Sequence, residues 1–271
     1  MGHFELTKRF TSTFGEIQFE KKGDGPALVL VHGTPWSSFN WRHIIPSLSQ
    51  WFTVYYYDLV GYGKSEKAEA VSLDIQSKVL KELLTYWKLD NPIVIGHDFG
   101  GTTVLRTHLL EKVAFKKMIL IDPVALAPWG SPFFSHVNKF ESAFTGLPEK
   151  IHRAIVTDYI QGAMYHPMST ETMEGILDPW LGISGQAAFY RQIAQANQSY
   201  TDELEPLYQT IEIPTLLIWG EEDQWIPIKK GEELHQRIKT STFMNVPFAG
   251  HLIQEDQPTR LLGYLLKDLL N

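Results

Sequence analysis

Short, unbroken apolar runs alternate along this chain with segments of helical period, and almost every run stops at a Gly, His or Asp. Ala27-Leu28-Val29-Leu30-Val31 ends at His32-Gly33, and Phe52-Thr53-Val54-Tyr55-Tyr56-Tyr57 ends at Asp58. Pro92-Ile93-Val94-Ile95 ends at Gly96, and Lys117-Met118-Ile119-Leu120-Ile121 ends at Asp122-Pro123. Thr215-Leu216-Leu217-Ile218-Trp219 and Thr242-Phe243-Met244-Asn245-Val246 follow near the C-terminus. A strand that is apolar at every position has no face to give to water, so both faces must be covered. Helical segments between such strands supply the cover. One is set to begin at Ser72 as its N-cap, with Val79, Leu80, Leu83, Leu84 and Trp87 on a single face. Another closes the chain with Leu261, Leu262, Leu265, Leu266, Leu269 and Leu270. The rhythm predicts an α/β fold: a mostly parallel central sheet flanked by helices.

Residues 127–205 break that rhythm. Aromatic residues, Pro and Gly are frequent there, no parallel strand is apparent, and helical patches are expected over 148–161 and 186–196. The expectation is a core of residues 1–126 and 206–271 with a helical cap of residues 127–205 over the C-terminal ends of the strands, where open α/β sheets bind ligands.

The stretch Gly96-His97-Asp98-Phe99-Gly100-Gly101 joins one of these strands to a helix expected over 102–110. A glycine-flanked nucleophile on a sharp strand-to-helix turn is a nucleophile elbow, and small neighbours are needed because that turn strains the backbone. The usual occupant is Ser. Here it is Asp98, and a carboxylate attacks carbon to leave an ester on the protein. Asp223, just past the strand ending at Trp219-Gly220, and His251, after the last strand, complete a nucleophile–acid–histidine order. An isolated Asp after a strand is usually a turn residue, and an isolated His is usually only hydrogen-bonded. The three together, each at a strand end, favour catalysis. The backbone N–H groups of Thr34, in His32-Gly33-Thr34-Pro35, and of Phe99 are the candidate oxyanion hole. His32 and His97 are read as supports for their loops.

On these residues the chain resembles the aspartate-nucleophile branch of the α/β-hydrolases, which holds epoxide hydrolases, haloalkane dehalogenases and haloacid dehalogenases. The resemblance spans nearly the whole sequence: the His-Gly-x-Pro turn, Asp58-Leu59-Val60-Gly61-Tyr62-Gly63-Lys64-Ser65, the elbow, the Asp223 loop and Gly250-His251. It implies the α/β-hydrolase fold and an enzyme that opens an epoxide or carbon–halogen bond through an alkyl ester of Asp98. His251, oriented by Asp223, then activates the water that hydrolyses the ester. It calls for no metal or organic cofactor. Asp122 also ends a strand, where some related dehalogenases place the acid, but the Gly-x-x-Asp-x-x-x-Pro loop around Asp223 matches the family pattern better.

The leaving group is where the sequence departs from each subfamily. Haloalkane dehalogenases usually carry Trp just after the nucleophile, and haloacid dehalogenases carry Arg there and three residues on. This chain has Phe99 and Thr102, without a donor ring or a bidentate clamp. Trp36, Trp129 or Trp180 remain as possible halide donors, though such residues mostly pack. Epoxide hydrolases use two tyrosines of the cap. Phe189-Tyr190-Arg191 resembles the second tyrosine motif. Phe144 falls where the first is expected, which leaves Tyr159 or Tyr165 for that role. The expected substrate-binding set is Tyr190, Tyr159, Trp36, Phe144 and Trp129, with a slight lean to epoxide hydrolysis. An ester, lactone or carbon–carbon hydrolase, or a ligand-binding member without catalysis, are the alternatives. The first would be favoured by a Ser elbow, the second by loss of the triad.

Composition narrows the partners. A formal charge of −7 disfavours nucleic acid and anionic membranes as partners, and no apolar run approaches the ~18–20 residues that span a bilayer. There are 0 cysteines, and the first twenty residues carry Glu5, Lys8, Arg9 and Glu16 in place of an apolar leader. Both fit a cytoplasmic protein acting on a small apolar substrate and water.

Overall fold

The structure, a computed structural model, describes residues 4–270. The apolar runs form the strands β3 (Ala27–Val31), β4 (Thr53–Tyr57), β5 (Ile93–His97), β6 (Lys117–Ile121), β7 (Thr215–Gly220) and β8 (Ser241–Val246), preceded by a hairpin of β1 (Lys8–Ser12) and β2 (Gly15–Lys22). They make one sheet in the order β1-β2-β4-β3-β5-β6-β7-β8. The first two pairings, β1 with β2 and β2 with β4, are antiparallel, and the rest are parallel. The strand alternation sorts the core into two layers. Leu28, Leu30, Ile93, Ile95, Ile119, Ile121, Leu216 and Ile218 point to one face, and Val29, Val31, Val94, Met118, Leu120, Leu217 and Trp219 to the other.

The helices cover those faces. α1 (Ile45–Leu48), α10 (Ile253–Asp256) and α11 (Pro258–Leu270) close one through Ile45, Leu48, Ile253, Leu261 and Leu265. α2 (Leu73–Tyr86), α3 (Phe99–Leu109) and α9 (Ile228–Arg237) close the other through Leu80, Leu83, Leu105 and Leu234. Ser72 does precede α2, but it makes no cap hydrogen bond: its hydroxyl donates to Asp74. The hairpin was not expected from the sequence. Its strands alternate more and less exposed residues at the sheet edge rather than running apolar.

Between β6 and β7 the described chain is helical: α4 (Pro132–Thr145, broken at Phe140), α5 (Glu149–Gln161), α6 (Thr170–Leu177), α7 (Gly182–Ala194) and α8 (Ser199–Asp202). Buried and half-buried polar contacts pin this region to the core loops. Trp180 Nε1 donates to the Pro35 carbonyl at 2.7 Å, the Val71 N–H donates to Gln195 at 2.8 Å, and Arg191 reaches the Lys67 and Ala68 carbonyls. No helix among the described residues is long and apolar enough to cross a membrane.

Candidate active site

Asp98 sits between β5 and α3 with φ 53° and ψ −121°, a strained conformation for a residue with a side chain. The turn is that tight because the elbow presses on β3: a Cβ on Gly100 would stand 2.2 Å from the Val31 carbonyl oxygen. Strain and packing together lift the Asp98 carboxylate over the C-terminal ends of the strands. Its Oδ1 accepts the Thr34 N–H at 2.6 Å. Its Oδ2 lies 3.3 Å from His251 Nε2, close enough for an ion pair though not aligned as a hydrogen bond. On the far side of the ring, His251 Nδ1 bonds to Asp223 Oδ2 at 2.8 Å, and Asp223 Oδ1 accepts from the Trp225 and Ile226 N–H groups. All three side chains are buried.

Burial opposes a charge on His251, but attraction to Asp223, the hydrogen bond to Asp223 and the nearby Asp98 carboxylate outweigh it and hold the imidazole well above its usual range. His251 is therefore an imidazolium held between two carboxylates. The two other histidines of this region are neutral. His97 donates Nε2–H to the His251 carbonyl at 2.9 Å, and burial with repulsion from His251 pushes it down to about 3. His32 bonds the Gly33 carbonyl through Nδ1 and accepts the Leu59 N–H at Nε2, and burial lowers it too. The Asp58 carboxylate ties the loops together by accepting from the Ser38 and Lys64 N–H groups.

The sequence profile described as the Alpha/beta hydrolase family matches residues 28–263. The chain belongs to the alpha/beta hydrolase family. A crystal structure of an alpha/beta hydrolase fold protein from Burkholderia ambifaria superposes with a TM-score of 0.95 and 45% identity, covering 97% of this chain and 98% of that one. Haloalkane dehalogenase 2 of Mycobacterium bovis is 26% identical over 273 residues, covering 95% of this chain and 93% of that protein. Epoxide hydrolase 4 of Mus musculus is 25% identical over 264 residues, covering 89% and 72%.

In this alpha/beta hydrolase an aromatic chain runs from His251 into the helical insertion. Trp225 packs 5.1 Å from the His251 ring, 5.7 Å from Trp36 and 4.5 Å from Tyr159. Tyr159 continues to Phe133 at 5.2 Å, Phe133 to Phe144 at 5.9 Å, and Phe144 to Tyr190 at 5.3 Å. The two candidate tyrosines differ in what holds their protons. His152 Nε2 faces the Trp180 carbonyl and must donate there, so its Nδ1 accepts from the Tyr190 hydroxyl at 3.0 Å. The Tyr190 proton is thus engaged on His152. Tyr159 lies within the field of Asp98, and burial followed by that charge pushes its phenol well up. Tyr165 is 45% exposed on the outer surface.

The indoles also separate. Trp129 packs edge-on against Phe99 at 5.6 Å and donates to Thr201, and Trp180 donates to Pro35, while the buried Trp36 Nε1 has no partner. Gln192 was not anticipated from the sequence. Its Oε1 accepts from Thr34 Oγ1 at 2.6 Å and from the Tyr62 hydroxyl at 3.1 Å, leaving its buried Nε2 without a partner. Its position directly after Tyr190-Arg191 was the available signal. No group of three His, Cys, Asp or Glu among the described residues is placed to hold a metal ion.

Proposed function

We propose that this protein hydrolyses a small apolar substrate by opening an epoxide or carbon–halogen bond through an alkyl ester of Asp98. The observation that carries the reading is the Asp98 carboxylate itself, held by the Thr34 N–H and facing His251, where a serine hydrolase would place a hydroxyl. Asp98 attacks the electrophilic carbon, a C–O ester bond forms, and the carbon–halogen or epoxide C–O bond breaks with its electron pair.

That step changes His251. Esterification removes the Asp98 charge, one of the two that hold the imidazole proton, so the ring's proton affinity falls. In epoxide opening the alkoxide takes one proton from His251, or from water where His251 is replaced. In carbon–halogen opening the halide leaves with the electron pair and the imidazolium releases its proton to water. Either way the imidazole is left neutral. His251 Nε2 then takes a proton from water, the hydroxide attacks the ester carbonyl, and the Thr34 and Phe99 N–H groups hold the oxyanion. Collapse releases the alcohol and restores carboxylate and imidazolium.

Epoxide is the favoured substrate class because Tyr159, a phenol of the helical insertion packed on Trp225 beside His251, stays protonated within the field of Asp98 and can offer a hydrogen bond to the epoxide oxygen. The haloalkane reading rests on Trp36, whose indole N–H is buried and free. Intact-protein mass after incubating a His251→Gln variant with epoxides, haloalkanes and haloacids separates these. An epoxide adds its whole mass, and a haloalkane adds its mass less hydrogen halide. An adduct missing from the Asp98→Ala control supports the ester. No adduct across the panel would overturn it and favour acyl substrates or binding without turnover.

A further inference from the structure

Asp122 lies at the end of β6, beside β7, with its side chain fully buried and its backbone at φ 40°. Its Oδ1 accepts the Gly220 N–H at 2.9 Å, while Oδ2 has no donor. The charge of Asp223, on the neighbouring strand end, acts on this carboxyl. Asp223 is the opposite case. Its two oxygens accept from Trp225 N–H, Ile226 N–H and His251 Nδ1, the set that suits an ionised carboxylate. A fully buried carboxyl oxygen that receives no donor, close to a second carboxylate, is stabilised by taking up a proton.

We propose that Asp122 is a neutral carboxylic acid whose O–H donates to Asp223, so that His251 is backed by an acid pair carrying one negative charge. The titratable groups at the neighbouring strand ends are Asp223 after β7, His251 after β8, and His97, which ends β5 before Asp98 and donates to the His251 carbonyl. Burial and then the charge of Asp223 raise Asp122 well above the carboxylate range, against the weaker pull of His251. Asp122 is a positioning residue. By donating to Asp223 it draws charge away from the carboxylate and makes His251 less tenacious of its proton. Resting on the proposed ester mechanism, this is what lets the ring release that proton once Asp98 is esterified.

The test needs no substrate, so its outcome is independent of whether the hydrolase reading holds. Infrared spectra of protein carrying carboxyl-13C aspartate at neutral pH should contain a protonated-acid carbonyl band that shifts with the label. That band should vanish in Asp122→Asn. The His251 imidazole, followed by NMR titration, should keep its raised proton affinity in Asp122→Asn, because the amide donates to Asp223 as the acid does, and lose it in Asp223→Asn. A wild-type spectrum without the acid band would overturn the proposal even if the variant fails to fold. So would an Asp122→Asn variant that lowers His251 as far as Asp223→Asn does.

Discussion

The residue that most shapes the charge balance of the site is Asp122. Its folded-state proton affinity is raised above the unfolded value, chiefly by burial. The stability it contributes is therefore fully present below the unfolded pKa of about 3.9 and is lost as pH rises through the folded value. Asparagine in the same place keeps the acceptor for Gly220 and a donor for Asp223, and has no unfolded-state ionisation to gain. Asp122→Asn should match wild type near pH 4 and grow relatively more stable above it, by roughly 1.4 kcal/mol per pH unit until the folded value is reached. Urea melts of both proteins between pH 4 and 7 measure this directly. A stability difference that stays flat with pH would mean that Asp122 ionises as freely folded as unfolded.

At the scale of elements, the site is the meeting of three loop types: the turn after β3, the elbow after β5, and the acid and histidine loops after β7 and β8. The contact between the first two is tight. A Cβ on Gly33 would stand 2.3 Å from Asp98 Oδ1 and 2.6 Å from the His97 carbonyl oxygen. Gly33→Ala should push the carboxylate off the Thr34 N–H. A displacement near 1 Å costs on the order of 100-fold in rate, against about 1–3 kcal/mol of stability for the overpacking. In the His251→Gln background, adduct formation followed by mass should slow by about that factor while circular dichroism remains native. Adduct formation at the parent rate would show that this contact does not set the nucleophile's position. The same level of structure explains what the sequence made legible. β3, β5, β6 and β7 are buried almost throughout, so their composition betrays them, and their ends carry Asp98, Asp122 and Asp223 at readable places. The β1–β2 hairpin lies at a half-exposed edge and has no such signature. The Tyr190–His152 and Gln192–Thr34 contacts join residues 38 and 158 positions apart, and nothing local encodes which partner each side chain meets.

Across the whole molecule, two neutral histidines buried at the ends of β3 and β5 couple the fold to proton concentration. His32 and His97 are both depressed by burial, His97 to about 3. Their stability contribution is complete above the unfolded pKa of about 6.5 and is lost as pH falls through the folded values, because the unfolded chain takes up protons that the folded one refuses. His251, raised by Asp223 and Asp98, does not offset this loss. Its contribution is fully present below about 6.5 and disappears only as pH rises through its folded value. Below pH ~6 these two groups should lower the unfolding free energy by up to ~2.7 kcal/mol per pH unit, of which the protonated Asp122 offsets up to ~1.4 kcal/mol per unit until about pH 4. Against a domain stability of about 5–15 kcal/mol, the remaining slope removes a sizeable part of the stability by pH 4. Denaturant melts at pH 7, 6, 5 and 4.5 give the slope, and His97→Gln should flatten it by about one proton, ~1.4 kcal/mol per unit. An unchanged slope in that variant would mean that His97 is already protonated in the folded state. Its Nε2–H bond to the His251 carbonyl would then belong to an imidazolium, and two adjacent positive rings would raise the charge balance around Asp98 by one proton.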